Sequence, residues 1–110
     1  MIIDRDENIV IITQDNTSLK NFVGQLKKRY NKFKNNHIIL NISGLKAIGL
    51  KDILHFLKLS NTHRASKKSF VIVSDKINLD QIPDEIVVVP TLHEAYDVIE
   101  MEDIERDLGF

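Results

Sequence analysis

The sequence predicts an α/β fold: a mixed, mostly parallel sheet of four or five strands with three or four helices packed on it. Two observations carry this prediction. Short apolar runs, typical of buried strands, alternate along the chain with segments in which apolar residues recur at helical spacing. The 110 residues, 43% apolar and 28% charged, are also enough for one core, so a single domain over residues 1–110 is expected.

The chain opens with two predicted strands. IVII at residues 9–12 reads as a buried strand, and MIIDRDEN before it supplies a shorter strand and a polar turn. This first pair is expected at a sheet edge, where an antiparallel strand fits. Further strands are predicted from HIILNI at 37–42, SFVIVSD at 69–75 and EIVVVP at 85–90.

Three segments carry helical periodicity. The first has one apolar face and a cap from Asn16, Thr17 or Ser18; the face comprises Leu19, Phe22, Val23, Leu26, Tyr30 and Phe33. The second is predicted from about Leu50 to Thr62 or Arg64. The third begins at Thr91, where T-x-x-E forms a capping box with Glu94. KINLDQIP, between the last two strands, has room for one further helical turn.

The second helix has two apolar sides. Its predicted core stripe is Leu50, Ile53, Leu54 and Leu57. Phe56, Leu59 and His63 lie about 100° or more from the centre of that stripe, with Asp52 beside them. Two interpretations stay open: these residues form a binding patch, or the helix is wedged between two layers.

The last helix also changes face. Leu92, Ala95, Tyr96 and Ile99 form its first stripe, whereas Met101, Ile104 and Leu108 form a second one more than about 90° away. We therefore expect the helix to break or bend between residues 100 and 103. MEDIERDLGF, residues 101–110, then becomes an acidic tail that folds back or docks on a neighbour, for example in a homodimer.

Charge is distributed unevenly. Residues 1–68 carry 13 Lys or Arg and 5 Asp or Glu, whereas residues 69–110 carry 2 and 11. Such a dipolar chain can contact nucleic acid on its basic side, or folding can bring the halves together so that the charges partly offset. The lysines of the first helix spread around its surface, which favours a solvated face over a nucleic-acid stripe.

The composition and the apolar runs predict where in the cell the protein is located. The chain contains no Cys, so a disulfide framework or a Cys-based zinc site is not expected. The start of the chain lacks the pattern of a signal peptide, and no apolar run approaches the roughly 20 residues of a membrane span. These features predict a cytoplasmic protein without a membrane partner.

The residue pattern does not predict an enzyme, a metal site or a cofactor. The four histidines stand alone, and the carboxylates of the last helix are spread around it. Gly44 and Gly49 are followed by Leu50 and Lys51, where a phosphate loop needs Lys and then Ser or Thr.

Two segments resemble the STAS family, the domain of sulfate transporters and anti-sigma-factor antagonists. HIILNISGLKAIGLKDILHFL is similar to the central strand, loop and helix of that family, and EIVVVPTLHEAYDVI to its last strand and helix start. Together they cover about a third of the chain, and the whole element order fits. The resemblance implies a STAS-like sheet and a partner-binding surface around the loop and second helix.

The loop departs from the family pattern. Family members that act as phosphorylation switches carry an Asp-Ser-Ser-Gly type motif, which here falls on Gly49, Leu50, Lys51 and Asp52. Lys51 occupies the place of the acceptor serine, so the resemblance implies a binding surface without that switch. Ser43, the only hydroxyl in the loop, is the alternative candidate for phosphorylation.

The last residues, IERDLGF, also resemble the ends of short bacterial proteins labelled ribonuclease Z. An enzyme of that name needs an H-x-H-x-D-H metal site in a longer metallo-β-lactamase fold. This chain has no such motif, so the resemblance does not imply the activity.

The leading hypothesis is a non-catalytic protein-interaction module whose partner is, for example, an anti-sigma-type regulator. The candidate partner-binding residues are Ser43, Lys46, Lys51, Asp52, Phe56, Leu59 and His63. The alternative is an RNA-processing-associated, RNA-binding or nucleotide-binding protein that uses the basic first helix with Lys46, Lys51, Lys67 and Lys68.

Overall fold

The computed structural model describes residues 1–15 and 17–109 and confirms the predicted α/β fold. In this part of the chain, one five-stranded sheet has the order β1-β2-β3-β4-β5. Its strands are β1 Ile2–Asp6, β2 Ile9–Thr13, β3 His37–Asn41, β4 Phe70–Val73 and β5 Val87–Val89. β1 is antiparallel to β2 at one edge, as expected, and β2 to β5 run parallel.

The helices follow the predicted segments. They are α1 Leu19–Arg29, α2 Leu50–Ile53, α3 Leu57–Ala65 and α4 Leu92–Asp107, with 3-10 turns at Tyr30–Lys32, Leu54–Phe56 and Leu79–Gln81. Ser18 caps α1, since its hydroxyl accepts a hydrogen bond from the Asn21 N–H at 3.2 Å. Thr91 caps α4 by accepting from the Glu94 N–H at 3.1 Å. Asn16, another candidate cap, lies outside the described residues.

The helices cover both faces of the sheet. α1 and the continuous segment α2–α3, residues 50–65, pack on the first face, where the core includes Phe22, Leu26 and Phe56. α4 packs on the second face through Ala95 and Ile99. Successive right-handed crossovers that advance in one direction place α1 and α2–α3 on the same side, whereas α4 follows the last strand and is free to cover the other.

The predicted break in the last helix is wrong. α4 continues through residues 100–103 to Asp107, and Met101, Ile104 and Leu108 are 59%, 53% and 65% exposed. The second apolar stripe therefore needs no break, because it stays mostly exposed, with Ile104 at the edge of a cleft that Ile9 and Ile99 also line. Most of the predicted tail belongs to this helix; Phe110 lies outside the described residues.

The predicted core stripe of the second helix is displaced. Leu54 is 41% exposed, whereas Phe56, Ser60 and His63 are fully buried. The apolar residues alone misplace this face because two polar residues belong to it. A buried polar side chain is tolerated when it is hydrogen-bonded, and the Ser60 hydroxyl donates to the Glu85 carbonyl at 3.3 Å.

Candidate functional site

The loop between β3 and α2, together with the first turn of α2, holds three of the predicted binding residues. Ser43 is half-buried, and its backbone N–H and its hydroxyl both donate to Asn41 Oδ1, at 3.1 Å and 2.6 Å. Lys46 and Lys51 are exposed. These three side chains lie beyond the carboxyl end of β3. Their role in partner binding stays a prediction.

Asp52 has a structural task at the start of α2. Its carboxylate Oδ2 accepts a hydrogen bond from the Gly49 N–H at 2.9 Å. A carboxylate at this position also interacts favourably with the helix dipole. The Asp52 side chain is half-buried and also lines a surface groove between α1 and α2.

Phe56 and His63 do not belong to a surface patch. Both are fully buried, and the Phe56 ring meets the Phe22 ring edge-on at a centroid distance of 6.4 Å. Leu59 is half-buried and packs against the same core. The patch interpretation is therefore corrected for Phe56 and His63, which a partner does not reach, while Leu59 keeps an exposed part.

Both ring nitrogens of His63 are engaged. The Tyr30 hydroxyl lies 2.7 Å from Nδ1, and the Asn36 carbonyl lies 2.7 Å from Nε2. Because a carbonyl only accepts, Nε2 carries the proton and Nδ1 accepts from Tyr30. Burial lowers the pKa of His63, and the Asn36 carbonyl opposes this effect more weakly. His63 thus ties α3 to the end of α1 as a neutral imidazole.

A groove separates α1 from the α2–α3 segment on the outer surface of the first face. Its wider part, about 450 Å³, is lined by Leu19, Lys20, Val23, Gly24, Lys27, Asp52 and His55. A second part of about 230 Å³ is lined by Lys27, Lys58, Leu59 and Thr62. Lys27 borders both parts. The groove therefore has an apolar floor between two helices and a rim of lysine ammonium groups.

Gly24 lines this groove. It lies inside α1, where glycine costs about 0.5–1 kcal/mol of stability relative to alanine. A Cβ built at this position meets no atom within 4 Å, so the fold itself does not require glycine. The absent side chain leaves room for another chain to approach the α1 backbone.

Charge is segregated between the two helical layers. Between residues 18 and 36 the basic residues have no acidic neighbour; they are Lys20, Lys27, Lys28, Arg29, Lys32 and Lys34. Residues 50–68 carry five Lys or Arg and only Asp52. α4 instead carries seven Asp or Glu and one Arg, and the sheet lies between it and the basic layer. Folding thus places most of the charge of the helices on opposite faces of the sheet, and the Arg64–Glu102 ion pair joins the two layers.

A buried polar network, absent from the sequence predictions, joins α4 to the amino ends of β3 and β4. The Ser69 hydroxyl donates to Glu102 Oε1 at 2.6 Å and accepts from Arg106 Nη2 at 2.8 Å. Arg64 at the end of α3 donates to Glu102 Oε2 at 2.9 Å. Glu102 is only 16% exposed, so part of the acidic helix face is paired and not solvated.

His37 belongs to the same network. Its Nδ1 accepts from the Ser69 N–H at 2.9 Å, so its proton is on Nε2, which lies 3.1 Å from Asp103 Oδ1. Burial lowers the pKa of His37 and outweighs the opposing charge of Asp103. The Nδ1 lone pair of His37 and the hydroxyl of the fully buried Ser69 are both used in hydrogen bonds inside the protein. The network's geometry supports a structural role.

Sequence patterns carry only a faint signal for this network. His37 and Ser69 each stand directly before an apolar strand core, and Glu102 and Arg106 are four apart on one helix. The register Ile38↔Phe70 places His37 beside Ser69. That register depends on long-range pairing, so the proximity of these residues is not readable from local spacing.

The described residues contain no group of three His, Asp or Glu side chains placed to hold a metal ion. None of the helices described here is both long and apolar enough to span a bilayer. No protein-family model matches the chain, and a search of curated proteins finds no significant match.

Proposed function

We propose that this protein is a non-catalytic interaction module that binds an acidic amphipathic helix of a partner protein in the groove between α1 and α2–α3. The observation that carries the proposal is the lysine-rimmed apolar groove on an otherwise basic layer. An apolar face laid between two helices with charges at the rim is a recurrent mode of helix recognition.

The lysines favour an acidic partner. Lys20 and Lys27 border the groove on α1, and Lys58 borders it on α3. Carboxylates flanking the apolar stripe of a bound helix would face these ammonium groups, which raises the association rate and disfavours basic partners. Asp52 is the one carboxylate on the groove wall, and it already accepts from the Gly49 N–H.

The STAS resemblance supports a regulatory version of this function. In that reading the partner is an anti-sigma-type regulator, and Lys51 supplies a permanent positive charge where related switches add a phosphate. Ser43 as a phosphorylation site is a lesser alternative, since its hydroxyl proton is already donated to Asn41.

The test is a pull-down from the native cell with a groove variant and a matched control. Lys27→Glu with Lys58→Glu reverses two charges at the groove, whereas Lys32→Glu with Lys34→Glu reverses two exposed charges outside it. We expect the groove variant to lose a partner that the wild type and the control retain. Equal recovery by all three baits, with unchanged folding, would overturn the proposal.

RNA or nucleotide binding is the second candidate, because the first layer is strongly basic. This layer lacks a stacking platform among the described residues, since Phe22, Phe33 and Phe56 are buried and the Tyr30 hydroxyl is bound to His63. RNA mobility shifts at low salt decide between the candidates: a shift that both charge-reversal variants weaken equally supports RNA, and no shift excludes it.

A further inference from the structure

We propose that a second copy of this chain occupies the groove through its own α4, so that the protein self-associates head to tail. This inference rests on the groove of the proposed function and adds its occupant. α4 has the chemistry that the groove selects: an exposed apolar stripe on an acidic helix.

The stripe on α4 points away from its own domain. Met101, Ile104 and Leu108 follow i, i+3, i+7 spacing, and at about 100° per residue they lie opposite Ala95 and Ile99, which pack on the sheet. On the same wheel Glu100 and Glu105 flank the stripe on either side. An outward apolar stripe between carboxylates needs an apolar partner with a basic rim.

The lengths of the two surfaces agree. Met101 and Leu108 are seven residues apart, as are Lys20 and Lys27 along the groove, so each pair spans about 10 Å of helix axis. Lys58 lines the opposite wall, which lets carboxylates on both sides of the docked stripe meet a lysine. The apolar floor, including Val23 and Leu59, then covers methionine and leucine side chains that are otherwise in water.

The position of the two surfaces fixes the kind of assembly. The groove lies on the first face of the sheet and the α4 stripe on the second. Two copies therefore cannot satisfy both contacts reciprocally in a compact two-fold dimer. Each contact leaves one groove and one stripe free, and such heterologous contacts form rings or open chains.

Sedimentation velocity of the full chain and two variants tests this assembly. The groove variant is Lys27→Glu with Lys58→Glu, and the stripe variant is Met101→Gln with Leu108→Gln, which changes side chains that are 59% and 65% exposed. We expect the wild type to form species larger than a dimer at about 0.1 M salt and to dissociate at about 1 M salt. Each variant alone should weaken self-association at least about tenfold.

The mixture of the two variants is the decisive sample. The groove variant retains a stripe and the stripe variant retains a groove, so together they should form a one-to-one dimer and nothing larger. A wild type that stays monomeric overturns the inference, and so does a groove variant that still dimerises, which would indicate pairing of α4 with α4.

The partner pull-down separates this inference from the proposed function. If the wild type is monomeric but its groove still captures another protein, only the self-association inference is overturned. If the wild type captures no other protein but still assembles head to tail, the occupant of the groove is α4 of a second copy. The proposal of a different partner protein is then removed.

Discussion

The two helical layers of this protein differ in how they use charge. In the layer of α1 and α2–α3, Lys20, Lys27 and Lys58 line a groove, and none of them forms an ion pair with the described residues. In the α4 layer, Glu102 pairs with Arg64 of α3 and accepts from Ser69 beside β4, and Asp103 lies 3.1 Å from His37 of β3. The α4 layer uses two of its seven carboxylates for attachment and exposes the other five, whereas the lysines at the groove rim are all exposed.

This contrast separates structural from binding residues. In the most chemically suggestive cluster the histidine and serine are buried, and the two carboxylates are hydrogen-bonded or paired with neighbouring side chains. The groove holds ordinary lysines and aliphatic residues, yet it is open. An open, unsatisfied surface is the better candidate for binding, whereas a saturated network contributes specificity to the fold.

The largest expected effect lies under the basic layer. Phe56→Ala should lower the free energy of unfolding by about 3–5 kcal/mol, because a fully buried ring that packs on Phe22 is lost. Leu54→Ala, at a position that is 41% exposed, is the matched control and should change stability much less. Urea denaturation measures both. If both variants lose only a small and similar amount of unfolding free energy, Phe56 belongs to a surface patch and not to the core.

The next effect lies under α4. Glu102→Ala removes the acceptor for the Ser69 hydroxyl and for Arg64, so we expect a loss of about 1–3 kcal/mol in unfolding free energy. Glu105→Ala removes an exposed carboxylate from the same helix and is the control. If Glu102→Ala proves neutral in urea denaturation, α4 is held by Ala95 and Ile99 alone and the contrast between the layers fails.

The histidines predict a pH dependence. Burial lowers the pKa of His37 and His63 in the folded protein, so the unfolded chain binds more protons as the pH falls through the ordinary value of 6.5. Their contribution to stability is complete above about pH 6.5 and declines below it as the pH approaches the lower folded pKa values.

Denaturation series at several pH values measure this decline. His63→Gln should flatten it, whereas His55→Gln, which alters an exposed residue on the 3-10 turn, should leave it unchanged. An equal decline in both variants would assign the pH dependence to other groups.

The smallest effect concerns Gly24. Gly24→Ala should raise the unfolding free energy by about 0.5–1 kcal/mol, because alanine restricts the unfolded chain and fits without a clash. The added methyl group should at the same time weaken partner capture. A variant that is more stable and binds equally well would show that the partner does not approach the α1 backbone.

Much of the fold is predictable because its signals are local. Ser18 and Thr91 cap the beginnings of their helices through hydrogen bonds to residues three positions away, and the apolar runs mark the strands without knowledge of their neighbours. The single antiparallel edge strand follows from the short polar turn before Ile9.

The rest depends on contacts that sequence spacing does not contain. Sequence spacing leaves His63 either in a surface patch or between two layers, and its burial follows from Tyr30 and Asn36, 33 and 27 positions away in the chain. The groove arises from the relative placement of α1 and α3, so no sequence motif in either helix predicts it. The continuity of α4 is not readable from its change of face, because a second apolar stripe can follow a break or stay exposed on one continuous helix.

The most direct test of the central claim is site-specific photocrosslinking in the native cell. A photoreactive amino acid at Thr62, which lines the groove, is compared with one at Glu7, an exposed position in the β1–β2 turn. The account predicts a discrete crosslinked product from position 62 that Lys27→Glu with Lys58→Glu abolishes, and none from position 7. Crosslinks from position 7 alone, or from position 62 regardless of the lysines, would contradict it.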